Sequence, residues 1–220
     1  MFRLGILLAL WVPLWSACQD FAPTSPTPTA QEYTRLRNVL TAVYERDQQV
    51  RNIDFELIRT DSVAARAFSA QLHATDSLNQ AIVLPLLARY GWLPRQAIGE
   101  QAADALFLVV QHSDLAIMRR FLPQLQEQAR RGQASAPDAA TMQDRVLMLE
   151  GKKQVYGTQA SNNVRPHQQR IVVVWPIQAP DKVNSLRRQV GFTSTVQQNA
   201  DRLGAQYDPA EQLPQKSPSQ

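Results

Sequence analysis

The residues able to do chemistry sit where polar groups interrupt apolar, helix-patterned stretches. Asp47 and Arg51 are four apart, one turn of helix, so a carboxylate and a guanidinium can meet on one face, with Gln48 beside them. His73, Asp76 and Asn79 recur at three-residue spacing and share a face in the same way. His112 closes the most apolar stretch of the chain, marked by Ala102, Leu106, Val109 and Val110. Histidine changes charge near neutral pH, so His112 suits a general acid or base if Asp47, Asp114 or Asp144 orients it. Arg51, Arg145, Arg187 and Arg188 offer guanidinium forks for an anionic group. Tyr156 can donate to developing charge, and Gln159 closes the same short segment.

Each of these groups also has a structural reading. Asp47 and Arg51 could form a solvated pair worth roughly 0.5 kcal/mol. His73 and Asp76 read as surface residues, His112 as a satisfied core or capping histidine, and Asp114 as a helix cap. Asp144–Arg145 and Arg187–Arg188 could tie a β insert to the helices, with Tyr156-Gly157-Thr158 as a turn.

Several function classes lose support. The chain has no HExxH, no GxSxG, no Gly-rich phosphate loop and no CxxC. Its single cysteine, Cys18, lies near the start, which leaves no thiol for the domain. The three histidines, His73, His112 and His167, have no local ligand-pair spacing, so neither metal nor cofactor is expected. The net charge of +4 is small, and the basic residues are scattered without interleaved aromatics. No nucleic-acid partner is expected on that pattern.

The elements that must position these groups are mostly helices. Leu36, Leu40, Val43 and Tyr44 begin an amphipathic pattern that runs from Tyr33 to about Ile58. Asp61 or Ser62 caps a second helix reaching Tyr90, where Gly91-Trp92-Leu93-Pro94 breaks it. A third helix runs from Gly99 or Glu100 to Gln111. A fourth covers Leu115 to Arg131 with Pro123 inside it. Ser135-Ala136-Pro137-Asp138 starts a fifth, which Gly151 stops. The period then changes: Gln154–Gln159 and Arg170–Trp175 read as strands. Two closing helices, Asp181 to about Val190 and Ser194 to Leu203, complete the domain. The expected fold is mainly α: one domain of six or seven helices with a small antiparallel hairpin near residues 154–175.

The ends carry a different message. Arg3 and the apolar stretch Leu4–Trp15 fit a signal peptide over residues 1–17. Trp15-Ser16-Ala17-Cys18 resembles a bacterial lipobox, which makes Cys18 a lipidation site and the membrane a partner through its acyl chains. Residues 18–30, rich in Pro and Thr, form a tether. The helical domain spans 31–207, and 208–220 is a loose tail. The expected location is the cell envelope, lipid-anchored at the outer membrane and facing the periplasm or the cell surface.

At the same polar residues the chain resembles a bacterial domain family of unknown function. The likeness rests on Gln111-His112-Ser113-Asp114 and Tyr156-Gly157-Thr158-Gln159. The surrounding pattern is Asp47-Gln48-x-x-Arg51, Asp76 with Asn79, Tyr90-Gly91-Trp92, Asp144-Arg145, Gly151-x-x-Gln154 and Arg187-Arg188-x-x-Gly191. The resemblance implies that these residues act together and supplies neither substrate nor reaction. Two readings follow. In the first the domain binds a small-molecule ligand or an envelope protein through a His/Asp/Arg cluster comprising Asp47, Arg51, Arg145, Gln159, Arg187 and Arg188. In the second it is a hydrolase-like enzyme, with His112 as general acid or base and Asp114, Asp144 and Tyr156 as catalytic partners.

Overall fold

The computed structural model describes residues 26–53, 60–165 and 171–214. The expected signal peptide and Cys18 lie outside these residues, as does the part of the first expected helix beyond Ile53; within the described residues that helix stops at Arg51, capped by Asn52.

Helix α1 spans Ala30–Arg51. Thr29 caps it through a reciprocal box with Glu32, which satisfies two N-terminal donors. Its buried residues are Leu36, Leu40, Val43, Asp47 and Val50. They follow the 4-3-4-3 rhythm of a core-facing stripe, and Asp47 takes one place in that stripe. Helix α2, Ser62–Tyr90, starts at the Asp61 cap and ends at Gly91, whose φ of 70° suits a residue without a Cβ. A single turn that the sequence pattern did not suggest, α3 (Arg95–Ile98), leads into α4, Glu100–Gln111.

Helix α4 is the central element. Ala102, Ala103, Ala105, Leu106, Val109, Val110 and Gln111 are all buried, so little of its circumference reaches solvent. It packs chiefly on α1, and also on α2, on α5 (Leu115–Arg130) and on α6 (Ala136–Leu149). Small alanines let neighbouring helices approach closely. Leu40, Val43, Leu106, Met118 and Phe121 fill the space between them at 0–2% exposure. Each such side chain contributes about 1.5–3 kcal/mol. The α5–α6 hairpin is set by caps at both starts, Asp114 accepting from the Ile117 amide and Ser135 from the Asp138 amide.

After Gly151 the chain builds a smaller lobe. Ala160–Ser161 (β1) pairs antiparallel with Val173–Val174 (β2), in the register Ala160 to Val174 and Ser161 to Val173. The first strand therefore falls just beyond the Gln154–Gln159 segment, where Gln154 makes only an isolated bridge to Ile177. Helices α7 (Val183–Gln189) and α8 (Val196–Arg202) close the lobe over Val174, Ile177, Val183, Val196 and Ala200. Residues 208–214 lie against the domain: Arg165 pairs with Glu211 at 2.5 Å, and Leu213 packs on the cluster of Val164, Val173 and Trp175. The fold is thus mainly α, with eight helices among the described residues and one short antiparallel pair. No described helix is long and apolar enough to cross a membrane.

Candidate functional site

Three helices bring four polar side chains together. Asp47 and Arg51 come from the last two turns of α1, Asp76 from the middle of α2 and His112 from the end of α4. Arg51 stands at the centre. Its Nε donates to both oxygens of Asp47 at 3.1 and 3.2 Å. Its Nη2 donates to Asp76 Oδ1 at 2.8 Å and lies 2.7 Å from His112 Nδ1. Gln48 Nε2 donates to the second Asp47 oxygen at 3.0 Å. The Asp47 side chain is 2% exposed, whereas Arg51, Asp76 and His112 keep 26%, 18% and 23% of their surface. The cluster is anchored in the core and opens at one end to solvent.

The electrostatics follow from this placement. Burial works to raise the Asp47 carboxyl, but the Arg51 charge and the two hydrogen bonds from its Nε oppose that, and the carboxyl lies below the usual carboxylate value. A guanidinium has only donors, so the contact from Arg51 makes His112 Nδ1 the acceptor. The imidazole then carries its proton on Nε2. His112 Nδ1 lies 3.7 Å from Asp47 Oδ1, too far for a hydrogen bond.

Asp47, Asp76 and His112 offer ligand atoms within 4.8 Å of one another, the donor set of a possible cation site. Sequence spacing did not indicate it, because the three residues come from separate helices. Arg51 already bonds all three and supplies the positive charge there. A metal ion would have to displace a guanidinium that neutralises both carboxylates.

Next to this cluster the surface is concave. A cavity of about 600 Å³ is lined by Tyr44, Glu45, Gln48, Gln49, Arg51 and Asn52. A second, of about 270 Å³, shares Tyr44 and Gln48 and adds Asp104, Phe107, Leu108 and Asp138. At this far end burial raises the Asp138 carboxyl to about 6, with the Asp104 charge adding to the rise. Burial likewise raises Asp104, although Arg95 opposes it.

Asp144, Tyr156, Gln159 and Arg187 belong to a different constellation. Asp144 is fully buried on α6 and accepts from the amides of Val155, Tyr156 and Thr158 and from the Thr158 hydroxyl, all at 2.8–3.1 Å. Burial pushes its carboxyl up against the pull of those donors. Arg187, 1% exposed, donates to the Tyr156 and Ser194 carbonyls and to Ser194 Oγ. Gln154 donates to the Gln159 and Trp175 carbonyls and accepts from the Gln159 amide. Gln159 Nε2 reaches the Thr141 carbonyl at 3.4 Å. Gly157 has φ 67°, and a Cβ there would meet Val196 Cγ2 at 2.6 Å. The Tyr-Gly-Thr-Gln segment is therefore a turn locked from several sides.

The remaining candidates separate too. Asp114 is exposed and caps α5. Arg188 is exposed on α7. His73 is exposed, although it shares a helix face with Asp76. Arg145 is partly buried on α6, and its Nε has no partner. Asp76, which sequence spacing grouped with His73 and Asn79, is the member of the cluster missing from the expected site. Its signal was there in the shared face with Asn79, which is buried against α1 and accepts from Arg46.

No curated protein and no solved structure matches the chain. The model of a family of unknown function, DUF6624, matches residues 34–205, most of the helical domain and the whole of the C-terminal lobe up to α8. The chain belongs to that family.

Proposed function

We propose that this is a lipid-anchored cell-envelope protein whose domain binds a small polar ligand at the Asp47–Arg51–Asp76–His112 cluster. The observation that carries the reading is the convergence of four polar side chains from three helices on a solvent-open end of the bundle. A purely structural network would be expected to bond backbone and close over, as Asp144 and Arg187 do. Here the bonds run side chain to side chain and leave three of the four members partly exposed. With Nδ1 held by Arg51, the imidazole presents Nε2–H as a donor to an incoming ligand.

That tautomer favours binding over hydrolysis. A general base needs Nε2 free, which requires Nδ1–H to face a carboxylate. The 3.7 Å gap to Asp47 and the interposed Arg51 oppose that arrangement. The anchor rests on the sequence around Cys18.

Thermal-shift screening of small polar molecules against the full-length protein and His112→Gln tests the binding reading. At least one chemical class should raise the Tm of the wild type and leave the variant unmoved. A screen in which both proteins respond alike would sink it. Replacing Cys18 with Ser should release the chain from the membrane fraction, and retention there would sink the anchor.

A further inference from the structure

Arg145 is the one charged group among the unpartnered buried side-chain atoms that the described residues show near this cluster, beside the amides of Asn79 and Gln111. It stands on α6, seven residues after Asp138, so the two occupy the same helix face two turns apart. Asp138 lines the cavity between α1, α4 and α6. Running along α6 from Asp138 leads toward the end of the bundle where Arg51 and His112 sit. The Arg145 guanidinium is close enough to Arg51 for the two charges to repel, and burial together with that repulsion works against its charged form. Its Nε is sealed from solvent with no hydrogen-bond partner. Among the described residues no carboxylate pairs with it. The nearby acids are engaged elsewhere, since Asp47 and Asp76 both bond Arg51.

Sealing even one nitrogen of a guanidinium without a partner costs solvation of its charge, and the remaining, accessible part of the Arg145 side chain is free to meet a ligand. Arg51 ends α1 and Arg145 lies toward the same end of the bundle on α6, within reach of each other's charge; two guanidiniums so placed, one of them unpaired among the described residues, suit an oxyanion. Resting on the ligand-binding reading above, we propose that the ligand carries a carboxylate or phosphate group and that Arg145 binds it, beside Arg51 and the Nε2–H of His112. Arg187 and Arg188 take no part: the first is spent on backbone carbonyls and the second lies on the outer surface of α7.

The test is a titration of the full-length protein with inorganic phosphate and, separately, with acetate, at constant ionic strength. Ring resonances of His112 are followed by NMR, and affinity is measured in wild type, Arg145→Gln, Arg145→Lys and Arg35→Gln. Arg35 is exposed on α1 and serves as the control. One or both oxyanions should shift the His112 resonances, and the stronger of the two identifies the phosphate or carboxylate source. Arg145→Gln should weaken binding by about tenfold or more, the scale of one lost charge-assisted contact. Arg145→Lys should fall between, because it keeps the charge and loses the fork. Arg35→Gln should match the wild type. Because Arg145 makes no hydrogen bond to any described residue, its variants should keep the wild-type circular dichroism. Equal oxyanion affinity in wild type and Arg145→Gln overturns the proposal. If neither oxyanion moves His112 while an uncharged polar ligand does, the oxyanion assignment fails and the binding reading survives. If nothing moves His112, both fail.

Discussion

Two clusters in this molecule use the same residue types to opposite ends. Around Asp144 and Arg187 the acid and the base are each bonded to main chain, at 2.8–3.1 Å, and the polar atoms of the turn face inward. Around Asp47 and Arg51 the bonds join side chains of three helices and stop at the surface. The first arrangement fixes a loop that no regular ladder holds, since its backbone groups must find partners when buried. The second fixes a pattern of donors and acceptors facing solvent. Residue type does not separate the closed polar cluster from the solvent-facing one; what each partner is, backbone or side chain, does.

The sharpest way to break the comparison is Asp144→Ala. It strands three partly buried amides and the Thr158 hydroxyl at once, so the expected loss of stability is about 3–5 kcal/mol. Urea denaturation should show it, and Trp175, whose Nε1 donates to the Lys152 carbonyl, is placed to report loosening of the C-terminal lobe. A loss under about 1 kcal/mol would mean that the turn holds itself without the carboxylate.

A smaller effect is expected at the open cluster. Asp47→Asn leaves Arg51 its bond to Asp76, so the loss at neutral pH should be about 1–2 kcal/mol. The pH dependence carries the sign. The folded carboxyl lies below its ordinary value of 3.8, so its contribution is fully present above that value. It disappears as pH falls through the lower folded value. Wild type and Asp47→Asn should therefore converge in stability in strong acid and diverge above pH 4. A gap that is constant with pH would show that the ionised form of Asp47 is not what stabilises the cluster.

A third effect, comparable in size, has the opposite sign. Asp138 is raised to about 6, so its carboxyl prefers the neutral form in the fold, and stability falls as pH rises from about 4 to 6. Asp138→Asn should stabilise the protein at pH 7 by about 1–2 kcal/mol and leave it unchanged at pH 4. Thermal unfolding at the two pH values checks this. A destabilised variant at pH 7 would show that a partner of the ionised carboxylate outweighs its burial.

Much of the fold was legible because helices announce themselves locally. Asp61, Asp114 and Ser135 cap the helices they were expected to cap, and Gly91 ends α2. These are decisions made within four residues by side-chain bonds to free amides. The single turn at Arg95–Ile98 carried no such periodic signal, being too short to show a period. The β register was equally hidden: a run of β-branched residues at Ile171–Val174 does not say which two residues opposite will pair.

The site was legible in part. Asp47 takes a core place in the stripe Leu36, Leu40, Val43, Asp47, Val50, and a carboxylate at such a place requires a partner. Four-residue spacing named Arg51 as that partner. The sequence by itself determined the longer helices, the caps at Asp61, Asp114 and Ser135 and this one intrahelical pair, because each depends on contacts a few residues apart. Only the tertiary structure decided that Asp76 and His112 join Arg51, that Asp144 and Arg187 instead lock a turn, and that the Arg145 Nε is sealed without a partner. Those outcomes depend on how α1, α2, α4 and α6 pack against one another, and contacts between helices are set by burial of whole faces, which spacing within one helix does not encode.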